Sequence, residues 1–140
     1  MLHSILETTT GQRLHDHHTV RLEVHRALVE LLTPPADGAR MEDVDECMRQ
    51  AHVALRCMRA HLPKWHPSVA HMHERGADAT LAKGRLLGAA HPAAGELFRA
   101  ASRGFRRATV VLERAWGCRH PHCAALRDKA HAADQAARAP

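Results

Sequence analysis

Helix-breaking residues recur along this chain at nearly even intervals, and that spacing constrains the fold more than any other feature. Pro34-Pro35 with Asp37-Gly38 close the first segment, Pro63 and Pro67 bracket the second turn, His91-Pro92 marks the third, and Gly117 through Pro121 form the fourth. Proline has no amide donor and its ring clashes with the preceding helical turn, so each of these sites stops a helix. The stretches between them run to roughly 20 to 30 residues and carry helical rather than alternating periodicity. The first has Leu14, His18, Leu22, His25, Val29 and Leu32 on one face, and the second has Val44, Met48, Ala51, Leu55, Met58 and Leu62. The fourth has Phe98, Ala101, Phe105, Ala108, Leu112 and Trp116. The third is weaker, mixing Val69 and Met72 with His73, Gly76, Ala77, Thr80 and Gly84, and its Gly84 and Gly88 read as close-packing positions. Residues from His122 to Ala137 add a short helix through Leu126, Ala130 and Ala133. Acidic Glu42, Asp43, Asp45 and Glu46 open the second segment while Arg56, Arg59 and Lys64 close it, as the helix dipole favours. Short turns join antiparallel neighbours, so the expected fold is all-α: an antiparallel up-down four-helix bundle with a short C-terminal helix.

With 140 residues the chain has room for one domain, 1–140, and not for two. Its only rings besides histidine are Phe98, Phe105, Trp65 and Trp116, so a core of Ala, Leu, Val and Met implies close helix–helix approach. Lys and Arg number 20 against 15 Asp and Glu, a formal charge of +5. That mild excess permits an acidic partner or nucleic acid without demanding either. No apolar run is long enough to span a membrane, and the first residues lack a basic stretch followed by an apolar one. A cytoplasmic protein is therefore expected, whose four cysteines serve as thiols or ligands rather than disulfides. A homo-oligomer is left open.

The chain is rich in histidine, with 14 in all. His18 and His25 lie on the apolar stripe of the first segment, and a buried imidazole needs partners for both ring nitrogens. A carbonyl or hydroxyl can supply one; so can a metal ion. An α-helix rises about 1.5 Å per residue, so counting away from each turn gives every position a height. His25 then lies near the level of Met48 to His52. His18 (or His17), Cys57 and His73 (or His71) share a second level on three different helices. Cys57 falls off the stripe of its own helix, and His52 or His61 flank that stripe and stand as alternatives. Imidazole with thiolate suits zinc, copper or iron, identity open. A second cluster, Cys118, His120, His122 and Cys123, places four candidate ligands within six residues at a turn, but matches no zinc-finger or c-type haem spacing.

Leu14-His15-Asp16-His17-His18 followed by Val20-Arg21 resembles the opening Asp-His stretch of the hemerythrin or HHE cation-binding family. Ala60-His61-Leu62 leading to Trp65-His66-Pro67 is similar to the end of that family's second helix, and His71 to His73 sit where its third helix offers ligands. The resemblance implies a four-helix bundle around a carboxylate-bridged di-iron centre that binds or senses dioxygen. The chain departs from the family where His52 is followed by Arg56 and His61 by Trp65, positions at which the family has Glu, and in a fourth helix without histidine.

Three function classes follow. The first is a transition-metal-binding bundle with His/Cys ligands, for sensing, storage or redox use. The second is an enzyme built on that metal, with Asp16, Glu23, Glu74 and Asp78 as the nearest carboxylates. The third is a basic interaction module for nucleic acid or an acidic protein, carried by Arg99, Arg103, Arg106 and Arg107 on the fourth helix. A solvated helix face explains those arginines more simply, since no recognition-helix layout or aromatic stacking platform accompanies them, so nucleic acid is not the favoured partner. No Ser-His-Asp order, P-loop or other catalytic motif is present.

Overall fold

The computed structural model describes residues 19–33 and 39–138. Among them five helices follow one another: α1 (Thr19–Leu32), α2 (Met41–His61), α3 (Pro67–Leu87), α4 (Ala94–Trp116) and α5 (Pro121–Ala136). The described chain has no strand and is all-α.

The turns are built by the residues that interrupt the apolar pattern. Three histidines precede a proline, and each lends its imidazole to the backbone ahead of it. His66 Nδ1 accepts from Ser68 N at 3.2 Å, His91 Nδ1 from Ala93 N at 3.1 Å, and His120 Nδ1 from His122 N at 3.2 Å. Pro67 and Pro121 then occupy the start of α3 and α5, where a missing amide costs nothing. Helices α3 and α4 stop at Gly88 and Gly117, whose φ values of 83° and 91° a Cβ would strain. Gly88 is thus a helix stop with nothing within 4 Å of an added Cβ, not the packing position its sequence context suggests.

Gly84 is a packing position. A Cβ there would fall 2.6 Å from the Phe98 ring, and one on Gly104 would fall 2.8 Å from Ala77 Cβ. The small residues that weaken the apolar pattern of α3 therefore let α4 approach closely, and α3 becomes the central helix. Backbone contact joins each helix to the next and α1 to α3. No contact of that extent joins α1 or α2 to α4, so α3 carries α2 and α4 as separate neighbours. Contacting residues run in opposite order along successive helices: His25 meets Gln50 and Val29 meets Cys47, then Asp45 meets Lys83 and Ala51 approaches Gly76.

The core holds Val29, Val44, Cys47, Met58, Met72, Phe105 and Leu126, each almost wholly buried. Two expectations are corrected. The buried face of α2 is Val44, Cys47, Gln50, Ala51, Ala54, Cys57 and Met58, because α1 packs on the side carrying Cys47 and Gln50. Cys57, off the apolar stripe in sequence, is only 2% exposed, whereas Met48, Leu55 and Leu62 on that stripe stay half-buried. Trp116, the last member of the α4 stripe, is 51% exposed and lies against the His120 ring, with centroids 4.6 Å apart.

Candidate functional site

The histidines and cysteines expected as ligands are distributed over the molecule. His18 lies outside the described residues. His25 is buried and its Nδ1 donates to Gln50 Oε1 at 2.5 Å, while Gln50 Nε2 donates to Glu46 at 2.6 Å. His52 and His61 are exposed, Cys57 is buried, and His73 is half-buried on α3. Cys118 is exposed and His120 caps α5. Among the described residues no three His, Cys, Asp or Glu side chains form a group that could hold one metal ion. Burial raises the Cys47 thiol to about 11 against a weaker opposing hydrogen bond from Thr33. Burial, then Glu113, pushes the Cys123 thiol up as well, and its Sγ points at Gly117 O. Both are thiols rather than thiolates at neutral pH, which makes them poor nucleophiles as they stand.

Two candidate histidines meet acidic partners: His71 Nε2 lies 2.5 Å from Glu30 Oε1, and His122 joins a cluster between α3 and α5. His122 Nε2 lies 2.8 Å from Glu74 Oε2, and Lys129 Nζ donates to Glu74 at 2.8 Å and to Asp78 at 3.0 and 3.2 Å. Burial alone would raise the Glu74 carboxyl, but the hydrogen bonds from Lys129 and His122 leave it lowered. Burial outweighs Lys129 at Asp78, which stays raised. The carboxylates next to His73 in sequence thus already hold an internal cation.

The open site lies elsewhere, where the turn after α2 faces α4. Leu62 ends α2 in an extended conformation, and Pro63 with Pro67 holds the next residues in a tight turn closed by His66 N to Pro63 O at 2.9 Å. The turn sets Trp65 beside α4, 38% exposed, with Lys64 Nζ 4.6 Å and Arg114 Cζ 5.7 Å from its ring centre. Between this turn, α3 and α4 lies a cleft of about 730 Å³. Its apolar wall is Leu62, Trp65, Val69, Val110 and Val111, and its cations are Arg59, Lys64, Arg106 and Arg107. Among the described residues no carboxylate lines it.

The basic face expected on the fourth helix divides here. Arg99 and Arg103 are tied to Glu96, and Arg106 to Asp134 at 2.6 Å. Among the described residues Arg59 and Arg107 have no carboxylate partner. Their effect is visible at His73, which also lines the cleft. Burial first, then Arg107 and Arg59, lower its pKa to about 4, so the ring is neutral at physiological pH. The sequence signal for this site was faint: Arg107 lies more than forty residues from Arg59 and Trp65, and only the packing of the α2–α3 turn against α4 brings them together.

Comparison with family models, curated proteins and solved structures gives no match. Among the described residues no helix is long and apolar enough to cross a membrane.

Proposed function

We propose that this chain is a binding protein for anionic amphiphiles, held in the cleft between the α2–α3 turn and α4 of an antiparallel up-down helical scaffold. The observation that carries the reading is the pairing of an apolar wall with two arginines, Arg59 and Arg107, that no carboxylate among the described residues neutralises. A guanidinium fork donates two parallel hydrogen bonds to a carboxylate, sulfonate or phosphate. The apolar body of such a ligand covers Trp65, Leu62 and Val110, at about 25 cal/mol for each Å² removed from water. A volume of about 730 Å³ falls within the range of small-molecule sites, roughly 300–1,000 Å³. Nucleic acid fits less well, because two of the four α4 arginines are spent on Glu96 and the cleft wall is apolar rather than a continuous cationic track.

The transition-metal reading, with zinc, copper or iron in a hemerythrin-like or other centre, ranks second. It draws on His18 and its neighbours, outside the described residues, and on the described contacts of candidate histidines with carboxylates, His71 with Glu30 and His122 with Glu74. Calorimetric titration with octanoate and with naphthalene-2-sulfonate, using octyltrimethylammonium as the charge-reversed control, tests the cleft reading. Both anions are expected to bind once per chain, the cation not at all, and Arg107→Gln to weaken the anions about tenfold. Equal binding of the cation, or an Arg107→Gln protein that binds as before, would overturn it.

A further inference from the structure

Resting on that reading of the cleft, we propose that the site continues past His73 into a second cavity, and that the ligand is a single-chain anionic lipid whose tail lies between α2 and α4. His73 is a wall of both cavities. The second, of about 170 Å³, is lined mainly by Met48, Leu55, Met72, Thr80, Ala100 and Gly104, with the His52 imidazole beside them and no Asp, Glu, Lys or Arg among the described residues that border it. It exists because α2 and α4 both pack on α3 but make little contact with each other. Met48 and Leu55, which would be core residues had the two helices closed, are left half-buried along it.

The chemistry of this trough suits an alkyl chain. Thr80 Oγ1 donates to Gly76 O at 2.7 Å, so its hydroxyl asks nothing of a ligand. The thioethers of Met48 and Met72 are flexible and polarisable and adapt to an irregular apolar guest. A dry apolar cavity of about 150 Å³ takes up one benzene molecule, so this one has room for a chain but not for a helix, whose axis would need about 8–10 Å of clearance. From Val69 in the cleft to Thr80 in the trough α3 rises about 16 Å, the length of an extended chain of roughly a dozen carbons. The head is placed by Arg59 and Arg107, which line the cleft that shares His73 with the trough, while no Lys or Arg among the described residues lines the trough itself.

Titration of the full chain with octanoate, decanoate, dodecanoate and tetradecanoate, each as free monomer below its micelle concentration, tests the extension. Affinity is expected to rise about fourfold per added methylene across the series, as burial of each CH₂ implies. Ala100→Phe and, from the opposite wall, Leu55→Trp are expected to shrink the tetradecanoate-to-octanoate affinity ratio towards one. Melting curves select whichever variant keeps its fold. A wild-type series that plateaus at octanoate overturns the extension and leaves the cleft reading standing. Variants that keep the wild-type ratio overturn it as well. Failure of every anion to bind removes both.

Discussion

The Lys129 ammonium lies 2.8 Å from Glu74 Oε1, and through this contact α5 is fastened to the central helix. Glu74 is 7% exposed, so removing its cation would leave a carboxylate charge with poor access to water. Lys129→Met is expected to lower stability by about 2 kcal/mol, less than a fully buried pair would lose because Lys129 is 39% exposed. Pairing it with Glu74→Gln should recover part of the loss. Urea unfolding of the two single variants and the double variant measures the coupling, and simple additivity would show that the contact contributes nothing.

The His-Pro turns give a second expectation. His66 and His120 each accept from an amide at the start of a helix, a role that asparagine can fill and alanine cannot. His120→Ala should cost about 1 kcal/mol and His120→Asn only a few tenths. Thermal melts of the two variants decide this; equal losses would mean that the imidazole acts through its contact with Trp116 instead.

Close approach of α3 and α4 is tested at Gly104. An alanine there must displace Ala77, 2.8 Å from the new Cβ, and the expected loss is about 1–3 kcal/mol. Gly104 has an ordinary helical backbone, where alanine would otherwise be favoured by up to about 1 kcal/mol, so the sign of the measured change is itself informative.

His73 sets a pH dependence with a defined sign. Its folded pKa of about 4 lies below the unfolded value of about 6.5, so between these pH values the unfolded chain binds more protons. Stability from the neutral ring is fully present above the unfolded pKa and is lost as pH falls through the folded one, by at most ~3 kcal/mol. Comparing His73→Gln with the parent chain from pH 7 to 3.5 isolates this contribution from other titrating groups. NMR titration should place the His73 midpoint near 4, and a bound anion, by offsetting Arg107 and Arg59, should move it upward.

The helices were legible in the sequence because prolines, glycines and apolar spacing act locally, and His25 opposite Gln50 follows from counting heights along α1 and α2. The candidate site was not, for a physical reason that Met48, Leu55 and Leu62 make plain. Their spacing marks them as apolar, but spacing cannot tell whether a neighbouring helix covers them. Here α2 and α4 stay apart over α3, and the three residues line cavities instead. Composition likewise does not reveal what a histidine does locally. His66, His91 and His120 cap backbone amides, which a list of metal-ligating residue types does not reveal.

Trp65 reports directly on the cleft, and Trp116 can be removed by Trp116→Phe because it lies exposed at the end of α4. Fluorescence of that single-tryptophan protein, titrated with monomeric dodecanoate, should change saturably at one equivalent per chain, and the change should vanish when Arg59→Gln and Arg107→Gln are combined. A Trp65 signal that does not respond, or that responds identically without the two arginines, would contradict an anion-binding cleft at this site.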